Sequence, residues 1–266
     1  MDPHVSLGVL EYRDAAFQAV EATVIRELPL RVVANGDDVV TLQCTGMEPR
    51  FLTAGYLFGC SLIEGADDIL SMDISESEAG LVARLELRRA PAPTRGVSLT
   101  SGMGRDILIQ GQADGLPSRP GLKRIPAPSG PYLQPETLLG LARELRARSG
   151  LYRLTRGCHN AALCSAEGML IFRSDIGRHN AIDTLVGQCL LENIPVEDKI
   201  IVSTGRIASE IAHKAIRAGV GVYASPAVAT SQAVETARAC GLTLIGNVTE
   251  DTFWVYNDPG RLKGCP

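Results

Sequence analysis

The residues best suited to chemistry crowd into one short stretch. S-D-I-G-R-H-N-A-I-D, residues 174–183, places Asp175, Arg178, His179, Asn180 and Asp183 directly after the apolar run G-M-L-I-F. A carboxylate, a guanidinium, an imidazole and an amide where a strand gives way to a helix can serve two ends. Asp175 and Asn180 can cap the new helix. The same groups can also meet a charged ligand at the helix N-terminus, where unpaired N–H groups and the helix dipole favour an anion.

Three more stretches share this character. L-T-R-G-C-H-N-A carries Cys158 and His159, S-T-G-R-I-A-S-E carries Ser203, Thr204, Gly205 and Arg206, and S-P-A-V-A-T-S carries Thr230 and Ser231. Hydroxyls and glycines before helices are also ordinary capping sequence. Arg178 and Arg206 add planar forks that match phosphate oxygens. Together these loops describe a pocket for a phosphorylated, nucleotide-like ligand. His213 lies in the middle of an amphipathic helix and is expected at the surface. G-x-G-x-x-G, the P-loop and the zinc-deaminase pattern H-x-E with P-C-x-x-C are missing from the sequence, and no metal site is expected.

The elements that must position these loops follow from periodicity. Residues 21–45 read as two strands joined at Asn35-Gly36, a strong hairpin signal. A helix over 48–63 and a strand over 82–89 complete a first half. Gly and Pro dominate from about Pro91 to Pro131, which reads as a long connecting region. From Gln134 onward a helix, a hairpin pair and then helices alternating with strands K-I-I-V-S, V-G-V-Y-A, L-T-L-I-G and F-W-V-Y predict a largely parallel sheet covered on both faces. In such a sheet, ligands gather beyond the carboxyl ends of the strands, where these loops lie. The fold class is α/β: a smaller N-terminal α+β domain over 1–130 and a three-layer α/β/α domain over 131–266.

Composition narrows the function. With 45% hydrophobic residues and a net charge of -4, the 266-residue chain can build a core and has no general attraction to nucleic acid. No run reaches the roughly 18 apolar residues that span a bilayer, and a cytoplasmic protein is expected. The seven cysteines, with no C-x-x-C among them, make neither a disulfide framework nor a zinc site. Cys60, Cys189 and Cys240 read as small buried hydrophobes, and Cys158 alone sits among candidate site residues.

R-E-L-P-L-R-V-V-A-N-G, T-R-G-C-H-N-A-A-L, S-D-I-G-R-H-N-A-I-D, S-T-G-R-I-A-S-E, S-P-A-V-A-T-S-Q-A-V and G-N-V-T-E-D-T-F-W-V-Y-N resemble, in this order, the FdhD family of formate dehydrogenase accessory proteins. The resemblance implies a cytidine-deaminase-like C-terminal domain without zinc chemistry, and a homodimer. It implies that sulfur passes from a cysteine desulfurase to the molybdenum bis(guanine dinucleotide) cofactor before that cofactor enters formate dehydrogenase. It also implies that Phe253, Trp254, Val255, Tyr256, Asn257 and Asp258 bind the cofactor, for which GDP is a mimic. Trp254 and Tyr256 share one face of their strand, opposite Phe253 and Val255.

One position departs from the family. The sulfur-carrying cysteine belongs in a T-S-G-C-G context, and this chain has T-S-G-M-G, with Met103 in its place. A thioether cannot become the thiolate that persulfide formation requires. Cys158, beside His159, is the weaker alternative carrier. A second reading is a non-catalytic escort or scaffold for the cofactor. A third, a nucleotide-processing enzyme, lacks zinc ligands.

Overall fold

The computed structural model describes residues 2–89, the backbone of 97–99, and 122–266. Met103, the stretch 100–106 and much of the Gly/Pro-rich connection lie outside the described residues.

The chain opens with a two-stranded antiparallel hairpin, β1 (His4–Arg13) and β2 (Ala16–Ile25). The sequence reading did not separate this hairpin, because its turn is Asp14-Ala15. Both residues adopt positive φ, 52° and 61°, without a glycine to announce it. Next come β3 (Leu28–Ala34), β4 (Asp37–Cys44), α1 (Pro49–Gly59), β5 (Ile69–Ser77), β6 (Gly80–Leu87) and β7 (Val97–Leu99). The strands form a five-stranded sheet in the order β5-β6-β3-β4-β7. Asn35 and Gly36, at φ 52° and 88°, make the expected β3–β4 turn. The first half thus has more strands than periodicity suggested, since β5 (I-L-S-M-D-I-S-E-S) is too polar to stand out.

The second half contains α2 (Pro135–Arg148), α3 (Gly150–Thr155), β8 (His159–Ser165), β9 (Gly168–Asp175), α4 (Arg178–Leu191), β10 (Ile200–Ser203), α5 (Ser209–Ala218), β11 (Val222–Ala224), α6 (Ser231–Cys240), β12 (Thr243–Gly246) and β13 (Trp254–Asn257). Its sheet runs β13-β12-β11-β10-β8-β9. Only the β10–β11 and β11–β12 pairings are parallel. Hairpin-type strands flank this parallel centre, so the sheet is mixed rather than largely parallel.

Alternating side chains divide the sheet's two faces. Leu163, Ile201, Tyr223 and Leu244 pack toward α4, α5 and α6. Ala162, Ile200, Val202, Val222 and Ile245 pack toward Leu138, Leu141 and Leu145 of α2. This is a three-layer α/β/α arrangement. His213 is buried, which corrects its expected place at the surface: its position in α5 turns inward.

Helix α4 is the keystone between the two sheets. Ten of its 14 residues are buried, because α1 covers the side that the C-terminal sheet does not. The two helices touch backbone to backbone. A Cβ on Gly55 would lie 1.8 Å from the Asp183 carbonyl oxygen, and one on Gly187 would lie 1.9 Å from that of Phe51. Only glycine permits that approach.

Candidate functional site

Strand register brings the expected loops to one edge. His159 pairs with Asp175, and Ala161 with Ser203, so β8 begins where β9 and β10 end. The parallel strands β10, β11 and β12 end together, and Gly246 pairs with Trp254 at the start of β13. The four donor-rich loops and the aromatic strand therefore line one edge of one sheet.

At the centre lie His159, Arg178, His179 and the Thr204-Gly205 turn. Thr204 Oγ1 accepts a hydrogen bond from the Asn160 backbone N–H (3.0 Å) and lies 3.3 Å from His159 Nδ1. Gly205 lies flat on the stem of Arg178, where a Cβ would come within 2.8 Å of Arg178 Cβ and Cδ. His179 is 9% exposed, yet both of its ring nitrogens, like Arg178 Nε, are buried without a hydrogen-bond partner. Burial, followed by the neighbouring Lys214, Arg178 and His159, pushes its imidazolium pKa down to about 3. Burial and then Arg178 lower that of His159 too. The pair is neutral at pH 7 beside a cationic guanidinium. It can donate or accept hydrogen bonds to a ligand that Arg178 attracts by charge.

Other residues of the motif turn inward. Asp175 Oδ2 accepts from the backbone N–H and the hydroxyl of Thr45, both at 3.1 Å, and Oδ1 accepts from Gly177 N (3.1 Å) and Asn180 Nδ2 (2.7 Å). Asn180 Nδ2 also donates to the Gln43 carbonyl. Burial raises the Asp175 carboxyl above its ordinary range, and these donors pull it back. Asp183 is buried in an ion pair with Lys214 of α5. Ser203 is buried, its hydroxyl 2.5 Å from that of Tyr223. Asp175, Asn180 and Ser203, expected to line the pocket, thus turn their polar groups inward, as does Asp183. Their polar groups are committed to holding α4, β4 and the sheet together, as buried polar groups must be.

The far end of the edge is aromatic. Trp254 is 55% exposed and meets Tyr256 edge-on at 6.4 Å between ring centroids. The Tyr256 hydroxyl accepts from Ala229 N (3.4 Å), and Gly246 makes room for the ring, since a Cβ there would lie 2.7 Å from Tyr256 Cε2. Thr230 caps α6 by accepting from Ala233 N, while Ser231 and Arg206 are exposed. The six-residue stretch Phe253 to Asp258 divides. Trp254 and Val255 are open, whereas Phe253 packs on the α2 side of the core. Asn257 Nδ2 donates to the carbonyls of Ala237 and Leu242, and Asp258 accepts from Thr243, Arg261 and Leu262. Asn257 and Asp258 thus fasten the chain end rather than face the open edge. Lys214, Thr45 and Tyr223 went unnoticed in the sequence; each sits inside an ordinary strand or helix pattern, and only packing brings it to the motif.

Six of the seven thiols are not activated. Burial pushes Cys158 and Cys189 up to about 11 and Cys44 and Cys164 up to about 12, and it also raises Cys240 and Cys265. Cys158 is a buried packing residue whose thiolate is disfavoured further by Asp175. Cys189 is buried as expected, but Cys60 and Cys240 are only partly so. No group of three or more metal-ligating side chains occurs among the described residues. Nor does any helix among them have the length and apolarity to cross a membrane.

Three-layer packing with a donor-rich edge at the carboxyl ends of the central strands defines the α/β class of protein, in which such edges are where ligands gather. Its family follows from comparison: residues 25–263 match the model of the FdhD/NarQ family, and the chain belongs to that family. It is 35% identical over 259 residues to the "Sulfur carrier protein FdhD" of Bacillus subtilis (strain 168), covering 96% of each chain. The protein of the same description from Staphylococcus aureus (strain MRSA252) is 30% identical over 270 residues, covering 98% of each. The fold matches the crystal structure of a putative formate dehydrogenase accessory protein from Desulfotalea psychrophila, with a TM-score of 0.78 and 21% identity over 98% of this chain and 100% of the other.

Proposed function

We propose that this protein assists formate dehydrogenase assembly by binding the molybdenum bis(guanine dinucleotide) cofactor as cargo along the edge from His159 to Trp254. One observation carries the reading: His179 buries two unpartnered ring nitrogens beside Arg178, whose Nε is also unpartnered, at the start of α4. Unsatisfied buried polar atoms are costly, and a polar ligand relieves that cost. Arg178, with exposed Arg206, meets phosphate. His159 and His179 meet pterin or ribose. Trp254 offers a face for the guanine, since base-on-aromatic stacking is worth about 1–3 kcal/mol. Ser231, the first residue of α6, supplies a backbone N–H and a hydroxyl between the two ends, and the Thr230 hydroxyl, which accepts from Ala233 N, keeps its own proton to donate.

In this reading the family's sulfur comes from a cysteine desulfurase. The thiol environments and Met103 favour a second form of it, in which this chain escorts the cofactor without carrying persulfide. Calorimetric titration with GDP tests the site: saturable binding that Arg178→Ala weakens by about 1.5–3 kcal/mol supports it, and no binding removes it. Incubation with a desulfurase and sulfur-labelled cysteine separates the two forms. A carrier gains protein-bound persulfide; an escort gains it only as the Met103→Cys variant.

A further inference from the structure

The α4–α5 side of the C-terminal sheet is not filled throughout. Between the ends of these two helices and the sheet lies a cavity of about 220 Å³. Leu163 of β8, Leu185, Val186 and Cys189 of α4, and Val220 before β11 form its floor, and all five are buried. Phe58, Ile194, Val196 and Ala218 complete the lining and are half-buried, so the apolar surface faces into the cavity rather than spreading around its mouth. Close packing leaves few voids larger than a water molecule, and one of this size costs stability when empty.

The cavity lies at the opposite end of the sheet from the donor-rich edge. Val220 precedes β11, and Ile194 and Val196 precede β10, whereas Thr204-Gly205 and Thr230 follow those strands. Its polar neighbours are already engaged. Ile194 N–H donates to the Cys189 carbonyl (2.9 Å), Val220 N–H donates to that of Ala215 (3.1 Å), and the Phe58 carbonyl accepts from Arg217 Nε (2.6 Å). Arg217 also binds the Ile63 carbonyl and Glu64, and Lys199 pairs with Asp198. None of the described lining residues carries a charge, and apart from the Cys189 thiol the Asn193 amide is their one polar side chain. A charged ligand of either sign would lose its hydration here without gaining a partner.

We infer that this cavity is a ligand site separate from the cofactor edge, and that it takes an uncharged bicyclic aromatic molecule of indole size with its polar atom at Asn193. Size sets the class. A cavity of about 150 Å³ lined by aliphatic and aromatic side chains stays dry and takes benzene. In proportion, about 220 Å³ holds about half as much again, a molecule of about nine non-hydrogen atoms. A rigid ring system loses less freedom on binding than a flexible chain of that size. Phe58, whose ring carries the Arg217 guanidinium 4.7 Å from its centroid, offers it an aromatic contact.

The test is equilibrium dialysis of the full chain against indole. Saturable binding with a Kd of about 0.1 mM is expected, an affinity that about nine atoms can supply. Indole-3-acetate, which adds a carboxylate, should bind at least about 10-fold more weakly. Ala218→Phe fills the cavity from the end of α5 and should abolish indole binding while leaving the urea midpoint unchanged or higher. Val196→Phe does the same from the loop before β10. In the wild type, indole should also slow alkylation of Cys189 by iodoacetamide, read by peptide mass mapping, while Cys265 keeps its rate. That measurement locates the ligand even where a phenylalanine variant does not fold. GDP should neither displace indole nor protect Cys189, so failure of the cofactor reading leaves this inference standing. A chain that takes up no indole would overturn it. So would binding that leaves Cys189 unprotected, that survives both phenylalanine substitutions, that GDP displaces or that indole-3-acetate matches.

Discussion

Asp175, at the end of β9, binds Thr45, just past the end of β4, through both the backbone N–H and the hydroxyl, each at 3.1 Å. The two residues are 130 positions apart, and their bond ties the N-terminal sheet to the edge that carries the candidate site. Asp175→Ala strands the Thr45 and Asn180 donors in the interior. It is expected to cost about 3–5 kcal/mol, at the upper end of what one lost acceptor costs, because several buried donors lose it at once. Urea denaturation measures this, and a midpoint that stays in place would show that the junction is held by other contacts.

Lys214 and Asp183 form the second tie, between α5 and α4. Lys214→Met leaves a buried carboxylate alone and should destabilise by about 3–5 kcal/mol. Adding Asp183→Asn removes the stranded charge, so the double variant is expected to be more stable than Lys214→Met alone. Additive losses in that double-mutant cycle would exclude a coupled pair.

His179 makes stability depend on pH in a defined direction. The folded protein holds the imidazole neutral down to about 3, whereas the unfolded chain takes up a proton below its ordinary 6.5. The unfolded state therefore binds more protons between those values, and stability falls as pH falls through that window, by about 1.4 kcal/mol per unit. From neutral pH to pH 5 the wild type should lose about 2 kcal/mol more than His179→Gln, as read from urea melts. Parallel curves for the two proteins would contradict the buried neutral state.

Trp254 separates binding from folding. With more than half of its surface open, Trp254→Ala should move the unfolding free energy by less than about 1 kcal/mol. Its GDP affinity should fall by about 1–3 kcal/mol if the indole carries the base. A stability loss with unchanged affinity would make Trp254 a packing residue.

The alternation of apolar strands with helices from Gln134 onward and the Asn35-Gly36 turn follow from local sequence, because period and turn chemistry are properties of neighbouring residues. So does the gathering of Arg178, Thr204 and Thr230 on one sheet edge, since strands that run the same way and are joined by helices end together; His159 joins them because β8 runs the other way and begins at that edge. What the local sequence does not contain is which polar groups of S-D-I-G-R-H-N-A-I-D face outward. Asp175 and Asn180 are spent inward because α1 and β4 pack across α4, through Gly55 and Gly187, and bring Thr45 and Gln43 to them, and Asp183 because α5 brings Lys214. His179 is left unpartnered in that interior, and His213 is buried on the inner side of α5. Decisive partners such as Thr45 and Gln43 lie more than a hundred positions away. The motif therefore marks the place of the site, and only the tertiary structure decides which of its side chains remain free to act.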